Sequence, residues 1–354
     1  MLDYLDYTVD SPRDSTFSLM GFSSPVTSVA VSANRTVFAC TLNGQLYIDT
    51  LPEPSPSLAD PRKKTVDWAR HFSATPGRRF SPITRGTSHW ALATSPASSD
   101  RQIDLCVIGS SLSEPCGVDS GQASLFTSAG SMQSKVAHPH PIRSVDWLDA
   151  NVSILGSTRT ADTPATSNSS TRASSTTNRP RKTKSNDRTP TGLVSLWDAR
   201  TSGLSQRFTQ PGPVTGVRGL GDGHSLLTCS TDGMRIFDVR MSNNRHNNNN
   251  VSQPVLTIDA PSTMPNPAFD VAPGPTRLVV RRDDEDALRV YSLLDGREVR
   301  KLEMTATQAE YGYARMWIRT VRFKEDANGE LGIWACRGGR VDHWSFGGKG
   351  DDEG

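Results

Sequence analysis

The sequence predicts an all-β fold built from one repeated unit, and three observations carry that prediction. Short runs rich in Val, Ile, Leu, Phe and Trp recur every 40 to 60 residues along the 354-residue chain. Asn-Gly, Asp-Gly and Gly-Gly pairs join several of these runs, and residues that tolerate positive φ are what a tight hairpin needs. No long stretch sustains the 3.6-residue apolar period of an amphipathic helix. The 28 Gly and 23 Pro fit many short elements separated by turns.

Six copies of the unit can be followed in order. The first, Val26 to Ile48, alternates at Val29 and Val31, continues through Val37-Phe38-Ala39-Cys40, turns at Asn43-Gly44 and resumes at Gln45-Leu46-Tyr47-Ile48. A weaker copy spans Trp90 to Phe126, with Leu105-Cys106-Val107-Ile108 as its best strand. In the third, Ile142 to Arg200, Val145 and Trp147 precede Ile154-Leu155-Gly156-Ser157, and the strand after a long interruption is Gly192-Leu193-Val194-Ser195-Leu196-Trp197. The fourth, Val214 to Arg240, has Val217, then Leu226-Leu227-Thr228-Cys229, an Asp232-Gly233 turn and Met234 to Val239. A second weak copy, Ala268 to Leu302, contains Leu278-Val279-Val280 and Leu288-Arg289-Val290-Tyr291. The sixth, Ile318 to Phe346, has Val321 and Phe323, then Ile333-Trp334-Ala335-Cys336, a Gly338-Gly339 turn and Val341 to Phe346. Cys40, Cys229 and Cys336 fall at one repeat position, which points to small-side-chain packing rather than thiol chemistry.

The interruption of the third repeat, 159–190, has scarcely an aliphatic residue. Seven bases (Arg159, Arg172, Arg179, Arg181, Lys182, Lys184, Arg188) face two acids, Asp162 and Asp187, a local charge of +5 within a chain of net +2. Such a segment buries too little apolar surface to offset its ordering entropy and is expected to be a disordered insertion within one domain spanning 1–354. An Asn-rich loop is expected at 242–253 and a flexible Gly- and acid-rich tail at 347–354. About 322 residues then remain; these hairpins resemble the WD-repeat family, whose roughly 40–45 residues per unit imply seven four-stranded antiparallel sheets arranged as the blades of a β-propeller. The seventh is expected to include Phe17-Ser18-Leu19-Met20, closing against the last.

Composition narrows the function classes. Five scattered Cys without a C-x-x-C pair suggest neither a zinc ribbon nor a disulfide framework, and read as reduced thiols. Met1 to Asp10 carries three acids and no apolar run, so no secretory signal is expected there. No stretch approaches 18 apolar residues, so no membrane span is expected. These features predict a soluble intracellular protein, nuclear, cytoplasmic or both.

Hairpins of this spacing, with a Trp197-Asp198 strand ending, resemble the WD-repeat family over most of the chain outside the insertion. The family's His matches His138, four residues before Ile142, and Asp232 matches its turn Asp. The His–Asp–Ser–Trp hydrogen-bond set of the family is incomplete in every repeat. Two consecutive repeats end alike, Leu196-Trp197-Asp198-Ala199-Arg200 and Ile236-Phe237-Asp238-Val239-Arg240. Substrate receptors of the cullin-4 RING ubiquitin ligases carry this W-D-x-R ending, often in neighbouring blades, with the arginines facing the adaptor, the large subunit of the damage-specific DNA-binding protein. The run from Val214 to Phe346 is similar to the cullin-4-associated factor 4 branch, including LRVYSLLDGREVRKL and the final IRTVRFKEDANGELGIWACRGGRVDHWSF. That resemblance implies an adaptor-binding site at Trp197, Asp198, Arg200, Phe237, Asp238 and Arg240, with Phe237 departing from the family's Trp. A guanidinium suits such a role because it is always charged, weakly hydrated and forked.

Other motifs yield to plainer readings. Gly219-Leu220-Gly221-Asp222-Gly223 looks like a phosphate loop, but a strand follows where a helix N-terminus is required, so a hairpin turn is expected. Arg281-Arg282-Asp283-Asp284-Glu285-Asp286 carries clustered acids that could suggest a metal, but it sits between two predicted strands and is expected to be a solvated hairpin tip. His138 and His140 lack metal-ligand spacing, and at least one is expected to be structural. Asp67-Trp68-Ala69-Arg70 has the residues of the motif in the wrong order. Arg179, Arg181, Lys182 and Lys184 form a patch of nuclear-import type, with nonspecific phosphate contact or a plain solvated loop as alternatives. No catalytic constellation, cofactor or metal site is expected, and neither a membrane nor a nucleic acid is an expected partner. The favoured expectation is therefore a noncatalytic receptor that brings a protein substrate to a cullin-4 ligase. A WD-repeat scaffold of an unrelated nuclear or cytoplasmic complex is the alternative, and an enzyme built on the same fold is a third reading for which no residues can be named.

Overall fold

Each repeat folds into strands where β-branched and aromatic residues alternate with polar ones, and breaks where Gly, Asp or Asn supplies a turn. The computed structural model describes residues 26–42, 44–50, 78–80, 87–96, 103–113, 119–159, 191–201, 203–243, 252–264, 267–285, 287–303, 318–325, 331–337 and 340–346. Blade 1 comprises β1 (Val26–Val31), β2 (Thr36–Thr41), β3 (Leu46–Thr50) and β4 (Arg78–Phe80), and blade 2 comprises β5 (Thr87–Thr94), β6 (Leu105–Ser113), β7 (Asp119–Thr127) and β8 (Met132–His138). Blade 3 comprises β9 (Ile142–Trp147), β10 (Val152–Arg159), β11 (Thr191–Asp198) and β12 (Leu204–Pro211), and blade 4 comprises β13 (Val214–Gly219), β14 (Ser225–Ser230), β15 (Gly233–Asp238) and β16 (Leu256–Ile258). Blade 5 comprises β17 (Phe269–Val271), β18 (Leu278–Arg282), β19 (Leu288–Ser292) and β20 (Glu298–Leu302), and blade 6 comprises β21 (Ile318–Glu325), β22 (Leu331–Arg337) and β23 (Arg340–Ser345).

Every sheet runs in sequence order, first strand beside second, with antiparallel pairing throughout. The first strands of successive blades pack side by side, which places them innermost and makes the array a β-propeller. Five apolar clusters fill the gaps between blades 1 and 2, 2 and 3, 3 and 4, 4 and 5, and 5 and 6. Six sheets are described, five of four strands and one of three, where the length arithmetic predicts seven of four. Phe17–Met20, assigned by sequence to a seventh blade, lies outside the described residues.

The shared cysteine position has a packing cause. Cys40, Cys229 and Cys336 each pair with the first-strand residue just past a bulge, and Gly109 and Gly156 hold the same place in blades 2 and 3. A Cβ on Gly156 would meet Val214 Cγ1 of the next blade at 2.8 Å, and one on Gly109 would meet Ile142 Cγ2 at 2.5 Å. Cys40 and Cys229 are free and buried, and burial pushes the Cys40 thiol up to about 11.

Three sequence boundaries shift. Arg159 belongs to β10 and pairs with Thr191, so the insertion starts one residue later, at the tip of a continuous hairpin; 160–190 lie outside the described residues. Residues 242–243 end a 3-10 turn, Val239–Asn243, rather than opening the Asn-rich loop, whose residues 244–251 are not among those described. Arg281 and Arg282 are buried at the end of β18 instead of forming part of a solvated tip; Arg281 donates to the carbonyl oxygens of Ala260 and Ser230, across the junction of blades 4 and 5. The tail 347–354 and Asp67–Arg70 also fall outside the described residues. Gly219–Gly223 does form the β13–β14 turn, with Gly221 at φ 79° and Gly223 at φ 75°. No described helix is long and apolar enough to cross a membrane.

Candidate functional site

The two D-x-R endings close the third strands of adjacent blades and lie on one rim of the propeller. In β11, alternation sends Trp197 inward, where it is fully buried in the cluster between blades 2 and 3. Phe237 of β15 takes the corresponding place between blades 3 and 4. Neither aromatic ring is accessible to a partner; each anchors the strand end from which its Asp projects. Trp197 also donates from Nε1 to the Thr201 carbonyl at 3.1 Å, tying down the turn, which Phe237 has no group to do.

Beyond the aromatic residue the two turns share one geometry. Asp198 Oδ1 accepts the Arg200 amide at 3.0 Å and Nε at 2.9 Å, while Oδ2 accepts Nη2 at 2.7 Å. Asp238 Oδ1 accepts the Arg240 amide at 2.8 Å and Nε at 3.0 Å, and its Oδ2 accepts Nη2 at 2.6 Å. The carboxylate thus caps the turn and clamps the guanidinium fork simultaneously. The side-chain bond from Arg200 lowers the Asp198 carboxyl to about 2, and the bond from Arg240 does the same at Asp238. Both pairs therefore stay ionised at any neutral or mildly acidic pH.

Both arginines are two-thirds exposed while their carboxylates are largely covered. The Asp contacts use Nε and Nη2, and leave each Nη1 without an acceptor among the described residues. What the site offers is a pair of immobilised, outward-facing donor forks suited to carbonyls or carboxylates on another macromolecule.

The turns are fixed from below and from the side. Ala199 donates its amide to Asn151 O at 2.8 Å and Val239 donates its amide to His224 O at 2.9 Å, so each turn rests on the first hairpin of its own blade. Gln206 of β12 reaches across to the Val239 carbonyl at 3.1 Å, between Asp238 and Arg240. Sequence reasoning identified the pair of motifs but missed Gln206, which no local pattern marks.

The remaining candidates separate cleanly. His138 is buried, with Nδ1 2.8 Å from the His140 carbonyl and Nε2 3.1 Å from Ser195 Oγ in β11. The His140 amide also lies 3.2 Å from Nδ1, so both ring nitrogens are held. Burial lowers this histidine to about 4, so it is a neutral link between blades 2 and 3. Trp197 takes no part in that bond, as its indole is bound to Thr201. Asp283 and Asp284 are engaged structurally, the first by Arg289 Nε at 2.7 Å and the second by Ser262 and Thr263. Among the described residues, no group of three or more His, Cys, Asp or Glu side chains is arranged to hold a metal. The basic patch Arg179, Arg181, Lys182 and Lys184 lies outside the described residues. No protein-family model matches the chain, and no curated protein matches it. The fold and the rim thus rest on the molecule's own geometry: a β-propeller presenting two matched, carboxylate-clamped arginines, an arrangement suited to protein interaction.

Proposed function

We propose that this chain is a noncatalytic WD-repeat propeller that serves as a substrate receptor of a cullin-4 RING ubiquitin ligase. Arg200 and Arg240 contact the ligase adaptor, the large subunit of the damage-specific DNA-binding protein. Asp198 and Asp238 hold the forks, and Trp197 and Phe237 act from within the fold. The observation that carries the reading is the near identity of the two turns, because blade architecture alone asks for no guanidinium at either place. A protein substrate is held elsewhere on the propeller. On this reading the chain is intracellular, and Arg179, Arg181, Lys182 and Lys184 serve nuclear import.

The same reading includes a seventh blade, which the chain length suits.

The alternative is a WD-repeat scaffold of an unrelated complex. It is favoured by the self-sufficiency of each Asp–Arg pair, which stabilises its turn with no partner present. An affinity pull-down comparing wild type with Arg200→Ala/Arg240→Ala separates the two readings when thermal melts are run in parallel. Loss of the adaptor with an unchanged melt supports the receptor. If wild type retains no adaptor, the scaffold reading takes its place.

A further inference from the structure

The rim that carries Arg200 and Arg240 continues into blade 5. There the turn after β19 is built as in its neighbours: Leu293 donates its amide to Arg277 O at 2.8 Å, as Ala199 does to Asn151 and Val239 to His224. The equivalent of Arg200 and Arg240 is thus Leu294, and its side chain is 68% exposed. Three residues after the register position, the chain forms another carboxylate-clamped arginine, with Arg297 Nε donating to Asp295 Oδ2. Arg297 is 85% exposed.

The three turns form one continuous arc. Gln206 links the outer strand of blade 3 to the turn of blade 4. In the same way the blade-5 turn lies against β16 of blade 4: a Cβ on Gly296 would stand 3.3 Å from the Thr257 carbonyl. Between the arginines of blades 4 and 5 this rim exposes apolar side chains. Met241 follows Arg240 directly and is 65% exposed, and Val255, at the start of the strand back from that turn, is 59% exposed. Of seven large apolar residues exposed among the described residues, four (Met241, Val255, Leu294 and Val299) belong to blades 4 and 5. Scattered apolar residues need no explanation, whereas a grouped set between polar anchors has the anatomy of a protein interface.

We infer that the docking surface spans blades 3 to 5, with Asp295–Arg297 as a third donor fork and Met241, Val255 and Leu294 as its apolar centre. The occupant is the same adaptor, so this inference rests on the reading of Arg200 and Arg240 proposed above. Size argues for it, since a stable interface engages roughly 20–30 residues a side and two turns supply too few. Chemistry argues for it too. Guanidiniums at the margins and apolar side chains between them match a partner face with carbonyls or carboxylates around an apolar patch.

The test is the affinity of the purified full-length chain for the purified adaptor. Leu294→Asp/Arg297→Ala is expected to weaken binding at least tenfold with an unchanged melt, because both side chains are exposed. Met241→Glu is a second probe of the same centre and is expected to act in the same direction. If both variants bind like wild type while Arg200→Ala/Arg240→Ala abolishes binding, the blade-5 extension is wrong and the two-blade reading stands. If wild type itself does not bind the adaptor, both are overturned.

Discussion

Arg218 of blade 4 points its Nε at Asp270 Oδ1 of blade 5 across 3.3 Å, joining matching positions on two inner strands. The link is part of a chain of alternating charge. Asp146 in blade 3 accepts the Gly219 amide at 2.9 Å, Asp270 accepts the Phe323 amide at 2.9 Å, and Arg322 in blade 6 lies 3.7 Å from Asp270. Each inner carboxylate therefore binds the backbone just after the next blade's arginine. Burial raises the Asp146 carboxyl, and the nearby Arg218 charge opposes that rise. For Arg218 burial opposes the charge, but Asp146 and Asp270 outweigh it.

Removing the shared cation leaves Asp146 without a neighbouring positive charge and Asp270 with only Arg322, 3.7 Å away. Arg218→Met is expected to destabilise the propeller by about 3–5 kcal/mol, the usual cost of breaking a buried pair from one side. Adding Asp146→Asn should recover part of that loss, because it removes one stranded charge. Urea unfolding of the single and double variants measures both effects. An Arg218→Met variant as stable as wild type would show that the inner charges are solvated and independent.

Gly156 tests the packing account of the Gly/Cys position. Its missing Cβ is replaced by Val214 Cγ1 and Val217 Cγ1 of the next blade, at 2.8 and 2.9 Å from where that atom would stand. Gly156→Ala is expected to cost about 1–3 kcal/mol through overpacking, despite alanine's lower backbone entropy cost. Gly203, with nothing within 4 Å of its Cβ direction, is the control, and Gly203→Ala should change stability by less than about 0.5 kcal/mol. Equal effects at the two glycines would argue against close approach between blades.

These cases show what the sequence could reveal and what it could not. Hairpins were legible because their turns are local, and so were the D-x-R endings, which lie within four residues. The outer strands were much less so. In β20 only Leu302 is buried, and in β8 only Val136 and His138, so the alternation that marks a strand is diluted by solvent exposure. Asp146, Arg218, Asp270 and Arg322 are each separated by more than 50 residues, and a lone charge in a strand reads as solvent-facing. Asp295 and Arg297 were overlooked because their Gly296 turn shifts the motif three residues off the repeat register.

Acid should weaken the fold before it affects the arginine clamps. His89, hydrogen-bonded to Ser110 Oγ at 2.7 Å, and His138 are both lowered by burial to about 4 from an ordinary 6.5. Between those values the unfolded chain binds more protons than the native one, so stability is full above pH 6.5 and declines as pH falls toward 4. At about 1.4 kcal/mol per unit, each histidine accounts for roughly 3 kcal/mol of that decline. Asp198 and Asp238, lowered to about 2, contribute only below the ordinary carboxylate range. Melting temperature is therefore expected to fall between pH 6.5 and 4.5, and His89→Asn should flatten the slope while lowering stability at neutral pH. A flat wild-type profile over that range would mean that these histidines protonate freely in the folded state.

The aromatic and acidic members of the motif should fail in different ways. Trp197 fills the space between blades 2 and 3, so Trp197→Ala is expected to cost about 3–5 kcal/mol and to lower the melting temperature clearly. Asp238 does its work at the surface, where it fixes Arg240 through its backbone amide and guanidinium. On the proposed receptor reading, Asp238→Ala is expected to leave the melt close to wild type while weakening adaptor binding several-fold, because the freed arginine must be ordered on association. Measuring melting temperature and adaptor affinity for the two variants side by side separates anchoring from recognition. If Asp238→Ala unfolds as readily as Trp197→Ala and binds the adaptor unchanged, the carboxylate is a structural cap and the fork needs no holder.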